Sequence, residues 1–157
     1  MSENKQSQKI ANVLHRAVDL LSRREHSAQE LSQKLQKKGF AENDVELVII
    51  RLQDENLQSD DRFTESFVNE RIRRGHGPIK IMHELRQKGV AEYLVENYVN
   101  IEEDHWLNIV QLQYQKKYAN MKVRDYAEWS KRARFLQGRG FTSTQIRLAI
   151  DSIDELD

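Results

Sequence analysis

RRGHGPIKIMHELRQKGV, residues 73–90, contains the chain's only proline and three of its six glycines. Pro78 follows Gly77 and suits the first position of a helix, where a backbone N–H has no intrahelical partner and its loss costs nothing. Gly89 followed by Val90 suits the opposite end. A Schellman stop places Gly in the left-handed conformation one residue past the cap and packs the next, apolar residue on the side chain five positions back. Here that residue is Leu85. The breakers therefore mark mainly the two ends of one short helix, and Pro78 starts it rather than kinking it.

The same stop occurs twice more. REHSAQELSQKLQKKGF (24–40) closes on Gly39-Phe40 with Leu35 five residues before the phenylalanine. EWSKRARFLQGRGF (128–141) closes on Gly140-Phe141 with Leu136 in the corresponding place. The glycines Gly39, Gly89 and Gly140 are spaced about 50 residues apart, a period that signals repeated supersecondary units. The starts correspond too. Ser27 with Glu30 forms a capping-box pattern where the second copy has Gly77-Pro78, and Thr142 with Gln145 forms another at the opening of the last helix.

Longer helical stripes flank each short helix. Ile10, Val13, Leu14, Ala17, Val18 and Leu21 precede the first, and Val45, Val48, Ile49 and Leu52 follow it. Phe63, Phe67 and Val68 precede the second, with Leu94, Val95, Tyr98 and Val99 after it. Trp106, Val110, Tyr114 and Tyr118 lead the third copy through the connection ANMKVRDY (119–126), and Ile146, Ala149, Ile150 and Ile153 close it. Neither alternating strands nor hairpin dipeptides interrupt this pattern. The expected fold is all-α: nine helices in three tandem three-helix units, covering 10–57, 58–104 and 105–157 after a flexible segment 1–9. Such short helices bury their stripes by stacking, which predicts an elongated, curved array.

The composition is polar, with 32% charged and 38% hydrophobic residues, a mean hydropathy of −0.79 and zero formal net charge. It still supplies enough Leu, Ile, Val and aromatics for a folded chain. With no cysteine there is neither a disulfide nor a thiolate nucleophile. MSENKQSQK lacks a signal-peptide core, and no apolar run approaches the ~18 residues of a membrane span, so a soluble cytoplasmic protein is expected.

Charge is sorted by helix. Residues 71–90 carry a balance of +5 and 91–104 one of −5, while 23–38 and 41–56 give +3 and −4. Residues 116–139 reach +6 and 142–157 fall to −3. Two accounts stand side by side: solubility with favourable charge between neighbouring helices, and a basic stripe facing phosphate or an acidic protein surface. No catalytic constellation is evident. The histidines His15, His26, His76, His83 and His105 form no i, i+4 pair, and GHG lacks the Lys-Ser/Thr ending of a phosphate loop. No enzyme activity, metal or cofactor is expected. Among the aromatics, Trp106, Trp129 and Tyr114 suit the core, whereas Tyr118 and Tyr126 lie among bases and could stack on a nucleobase.

The segment DDRFTESFVNERIRRGHGPIKIMHELRQKGV (60–90) resembles the signature of the RecX family of bacterial modulators of the RecA recombinase. It shares the DDRF opening, the Arg-rich helix end, the Gly-x-Gly-Pro turn and the Glu-Leu-x-x-Lys-Gly stop. AVDLLSRREHSAQELSQKL (17–35) and RFLQGRGFTSTQI (134–146) extend the resemblance over almost the whole chain, with the third copy departing most. The resemblance implies three tandem three-helix units in a protein that binds RecA filaments on single-stranded DNA. Such a protein blocks filament growth, favours disassembly, and damps ATP hydrolysis, strand exchange and the SOS response. It carries over no catalytic residues.

On the charge pattern, the expected contacts are Arg71, Arg73, Arg74, Lys80 and Lys88 first, then Lys116, Lys117, Lys131, Arg132, Arg134 and Arg139. The expected partner is RecA and its filament on single-stranded DNA, met by a monomer, with weak direct binding to single- or double-stranded DNA and no membrane. The competing readings are a stand-alone helix-turn-helix-like nucleic-acid module and an adaptor for another protein.

Overall fold

A computed structural model describes residues 2–102 and 104–154, with only the backbone of Ile153 and Asp154. The described residues form nine α-helices and no strand: α1 (Ser2–Arg23), α2 (Ala28–Lys37), α3 (Glu42–Asp54), α4 (Asp60–Arg73), α5 (Pro78–Gln87), α6 (Glu92–Tyr98), α7 (His105–Tyr118), α8 (Tyr126–Gly138) and α9 (Ser143–Asp154). No helix among them is long and apolar enough to cross a membrane.

The three glycine stops form as the sequence requires. Phe40, Val90 and Phe141 each donate a backbone N–H to the carbonyl five residues back, on Leu35, Leu85 and Leu136, at 3.3 Å. Gly39, Gly89 and Gly140 have φ of 100°, 75° and 97°, the left-handed region that this ring of hydrogen bonds needs. Two more stops of the same kind escaped sequence reading. Gly75 (φ 84°) ends α4, with His76 N–H donating to the Arg71 carbonyl, so the first glycine of GHG closes the preceding helix. Asn56 (φ 59°) ends α3, with Leu57 N–H donating to Leu52.

The caps divide the same way. Thr142 and Gln145 exchange reciprocal bonds, Thr142 N–H to Gln145 Oε1 at 2.9 Å and Gln145 N–H to Thr142 Oγ1 at 3.1 Å, and complete their box. Ser27 Oγ accepts from Glu30 N–H at 3.1 Å, but the Glu30 carboxylate turns elsewhere. Asp125 caps α8 by accepting from Glu128 N–H at 2.9 Å.

The chain packs as two compact units, Met1–Ser66 with Leu85–Leu94, and Phe67–Glu84 with Val95–Asp157. The middle repeat thus contributes to both. In unit 1, α1, α2 and α3 enclose Val13, Ala17, Leu20, Leu31, Leu35, Val45, Val48, Ile49 and Leu52, with Ile10, Leu14, Leu21 and Phe40 packed around them. Each fully buried Leu or Ile contributes about 1.5–3 kcal/mol of transfer free energy. Val18, expected in this stripe, stays exposed. Leu20, three residues beyond Ala17, fills the core in its place.

In unit 2, α7 packs on α8 and α9 around Trp106, Val110, Tyr114, Leu136, Phe141, Ile146, Ala149 and Ile150. Ile153, expected to extend the α9 stripe, lies outside the described side chains. Residues 2–9, expected to be a flexible terminus, are helical. They prolong α1 on its solvent side, and Gln6 Nε2 donates to Asp44 Oδ1 at 2.7 Å.

Candidate interaction surface

Bases at helix C-termini have a local reason to be there, because the last carbonyls carry partial negative charge. What distinguishes a structural base from an available one is whether a carboxylate or carbonyl has already claimed it. In unit 1 the claim is strong. Ser27 Oγ donates to the Lys88 carbonyl at 2.8 Å and Gln29 Nε2 to the Gln87 carbonyl at 3.0 Å, so the start of α2 rests on the end of α5. Glu30, buried at this junction, accepts from Arg24 Nη1 and Nη2 at 2.9 Å and from Lys88 Nζ at 3.0 Å. Burial alone would raise its pKa. The two cations outweigh that and hold its carboxyl at about 2. Lys88 is therefore half-buried and engaged.

His26 lies beneath this network. Its Nδ1 sits 3.0 Å from the Arg24 carbonyl and its Nε2 3.0 Å from Lys34 Nζ. An ammonium can only donate, so Nε2 accepts, Nδ1 carries the proton, and the ring is neutral. Burial accordingly lowers its pKa, aided by Arg24 and Lys34.

In unit 2 the start of α5 rests on the end of α8. Gly77 N–H donates to the Arg139 carbonyl at 2.7 Å and Ile79 N–H to the Gly140 carbonyl at 2.9 Å. The two backbones approach so closely that a methyl group at Gly77 would lie 2.5 Å from the carbonyl of Gly140. Around this junction the expected bases have separate fates. Arg71 is half-buried, pairs with Glu84 at 2.9 Å, and lies 4.5 Å over the Phe67 ring. Arg74 is exposed and pairs with Glu70 at 2.8 Å. Arg139 donates to the Arg74 carbonyl at 3.1 Å and lies 5.3 Å from the Phe135 centroid. Arg73, exposed, and Lys80, half-buried, have no carboxylate partner among the described residues.

His76 shares their setting. Its Nδ1 is shielded without a hydrogen bond, and burial lowers its pKa, with further lowering from Lys80, Arg71 and Arg139 against Glu84.

Of the later bases, Lys116, Lys131 and Arg134 are exposed without an ion pair among the described residues, and Lys117 sits 3.9 Å over the Phe135 ring. Arg132 is the correction. It is 1% exposed, donates to Tyr114 Oη at 2.7 Å and to the Met121 carbonyl at 2.8 Å, pairs with Glu128, and lies 4.5 Å from the Tyr118 centroid. It is a core cation that ties α8 to α7 and the 119–126 connection. The signal was in the sequence: eight residues before its stop glycine, Arg132 aligns with Leu31 and Ile81, both 0% exposed.

Trp106 and Tyr114 are buried, with Trp106 Nε1 donating to the Asn100 carbonyl at 2.8 Å. Trp129 and Tyr118 are half-buried, while Tyr126 is 80% exposed and lies parallel to Trp129 at 6.3 Å. No cluster of metal-ligating side chains occurs among the described residues.

Three family profiles match the chain in order: the RecX first three-helix domain at 14–52, the second at 59–98 and the third at 103–150. The chain belongs to the RecX family. The regulatory protein RecX of Vibrio parahaemolyticus is 40% identical over 139 residues, covering 88% of this chain and 90% of that one. RecX of Legionella pneumophila (strain Corby) is 42% identical over 125 residues, covering 80% and 83%. The crystal structure of RecX from Lactobacillus salivarius has the same fold, with a TM-score of 0.79 at 21% identity, covering 95% of this chain and 99% of that one. The three RecX three-helix domains are the three glycine-stopped repeats. α1–α3, α4–α6 and α7–α9 fall in turn within or across the matched ranges.

Proposed function

We propose that this chain regulates the RecA recombinase: it binds RecA and its filament on single-stranded DNA, blocks extension and promotes disassembly, and so lowers ATP hydrolysis, strand exchange and SOS coprotease activity. Membership of a family of regulatory proteins supports this reading. The observation that carries it is the contrast among the bases. Arg73 and Lys80 beside the α5–α8 junction, with Lys116, Lys131 and Arg134 elsewhere in unit 2, present charge that no carboxylate among the described residues neutralises. Unpaired cations on helices suit contact with an acidic protein face or with phosphate, and they need no conformational change to become available. Arg71, Arg74, Lys117 and Arg139 enter this proposal as supports of that surface, since each already holds an internal partner, and Lys88 is engaged by Glu30 in unit 1.

The test is RecA-catalysed ATP hydrolysis on single-stranded DNA with the protein titrated from far below stoichiometric amounts. Inhibition at low ratios supports action on filament ends or propagated disassembly. Arg73→Glu with Arg74→Glu should weaken inhibition at least tenfold while helical content stays the same. Full inhibition by that variant would remove this surface from the mechanism. Absence of inhibition at excess, with tight and steeply salt-dependent DNA binding by the protein alone, would establish the nucleic-acid module instead.

A further inference from the structure

Unit 1 contains a second cationic feature, apart from the proposed RecA surface and adjoining the Glu30 network through Lys34. A cleft of about 420 Å³ opens between α1 and the end of α2, lined by Arg16, Leu20, Lys34, Lys37 and Lys38. That volume lies in the range of small-ligand sites, roughly 300–1,000 Å³. Four of its five lining residues are cations and none is acidic.

The helix dipole accounts for one or two bases in the last turn of α2, but not for how these are held. Among the described residues, the Arg16 Nε atom is shielded from solvent without a hydrogen-bond partner, and its guanidinium pairs with the half-buried Asp19 at 3.8 Å. A shielded donor without a partner carries a free-energy cost, larger when the group is charged. Lys34 Nζ lies 3.0 Å from the neutral His26 ring, with the Glu30 carboxylate attracting it from nearby. Burial and the neighbouring Arg24 push its pKa down. On α2, Lys34, Lys37 and Lys38 stand at i, i+3 and i+4 and share one face. At this helix end the Lys34, Leu35 and Gln36 carbonyls already accept from the backbone N–H groups of Lys38, Gly39 and Phe40.

We infer that this cleft is an oxyanion site for phosphate groups, with the Arg16 guanidinium and the Lys34, Lys37 and Lys38 ammonium groups as donors. Phosphate is favoured over carboxylate on two grounds. Three lysines act as compact point charges suited to a tetrahedral, multiply charged group, whereas a carboxylate is best matched by the planar fork of arginine. The cleft also concentrates four positive charges, more than one carboxylate neutralises. No aromatic side chain lines it, so it reads phosphate and not a base. The phosphate can come from a free polyphosphate species or from a nucleic-acid backbone.

The probe is inorganic pyrophosphate, titrated at constant ionic strength into the full chain and followed by isotope-edited NMR. The expected result is saturable shifts confined to Arg16 Nε–H and the amides of residues 34–38, with affinity reduced at least tenfold by Lys37→Gln with Lys38→Gln. Those positions are exposed and tolerate the change. Lys5→Gln, at an exposed base outside the cleft, should leave the affinity unaltered. A single-stranded oligonucleotide supplies the second arm. Its binding is displaced by pyrophosphate and lost in the lysine variant if the source is nucleic acid, and is indifferent to both if the site takes free phosphate. Non-saturable shifts over all basic residues, or equal binding by the lysine variant, would overturn the proposal. So would saturable binding of an acidic peptide at this cleft without pyrophosphate binding, which would make it a protein-docking surface.

Discussion

The two helix-end junctions use one architecture and opposite electrostatics. Counted from their stop glycines, Glu30 of α2 and Lys80 of α5 are equivalent residues. Where α2 meets the end of α5, Glu30 binds both Arg24 and Lys88, so the bases of that junction are paired from within. Where α5 meets the end of α8, the equivalent residue is Lys80. Contact there is made by backbone, Gly77 to Arg139 and Ile79 to Gly140. A junction closed by backbone hydrogen bonds is independent of side-chain charge, so its surface is free to carry unpaired bases. The one closed by an ion network has committed its bases to stability.

This contrast can be broken, and the largest effect is expected at the backbone. Gly140→Ala would strain a left-handed residue and drive its Cβ into Lys80, so a loss of about 3 kcal/mol or more is expected in chemical denaturation. Gly39→Ala, with the same sign of φ but open space around it, should lose only about 1–2 kcal/mol. Equal losses would show that the close approach at the α5–α8 junction carries no weight.

Arg132→Ala should cost about 3 kcal/mol by leaving Tyr114 Oη, the Met121 carbonyl and Glu128 without their shared donor. Arg132→Leu, which installs the residue found at position 31, should lose less. If thermal melts rank the two in the other order, the site is shaped around the guanidinium and does not accept the apolar side chain of the other repeats.

Glu30→Gln tests the ion-paired junction. A carboxyl held at about 2 in the folded chain, against 4.5 ordinarily, contributes stability that is fully present above pH 4.5 and is lost as pH falls toward 2. With half-exposed partners screening it, the contribution is roughly 2 kcal/mol. The stability gap between the native chain and the variant should be widest at pH 7 and narrow steadily below pH 4.5; a gap independent of pH would contradict this.

The smallest effect sharpens the comparison most. Lys80→Glu copies the acid of α2 into α5 and should raise stability by about 0.5 kcal/mol while weakening RecA inhibition. A variant that gains stability and inhibits fully would separate the junction from function.

Much of this was legible in the residues because helix ends are local. A stop of the Schellman type needs Gly and an apolar neighbour within six residues, so Gly39, Gly89 and Gly140 could be found from spacing alone. Gly75 was harder because it stands beside Gly77, and a two-glycine turn conceals which residue ends one helix and which approaches another backbone. The candidate surface was half legible. Base-rich segments were visible, but Arg132 was grouped with them because a run of charge does not reveal which member faces inward. Alignment on the glycines places it in a core position.

By itself the sequence determined the fold class, the number of repeats and the start and stop of most helices, since each depends on side chains within a turn or two of one another. Only the tertiary structure decided which cations are spent and which are available. Lys88 finds Glu30 across 58 residues of chain, and Arg139 meets the Arg74 carbonyl across 65. Charge is neutralised by distance in space, and that distance is set by how helix ends pack, not by their order along the chain.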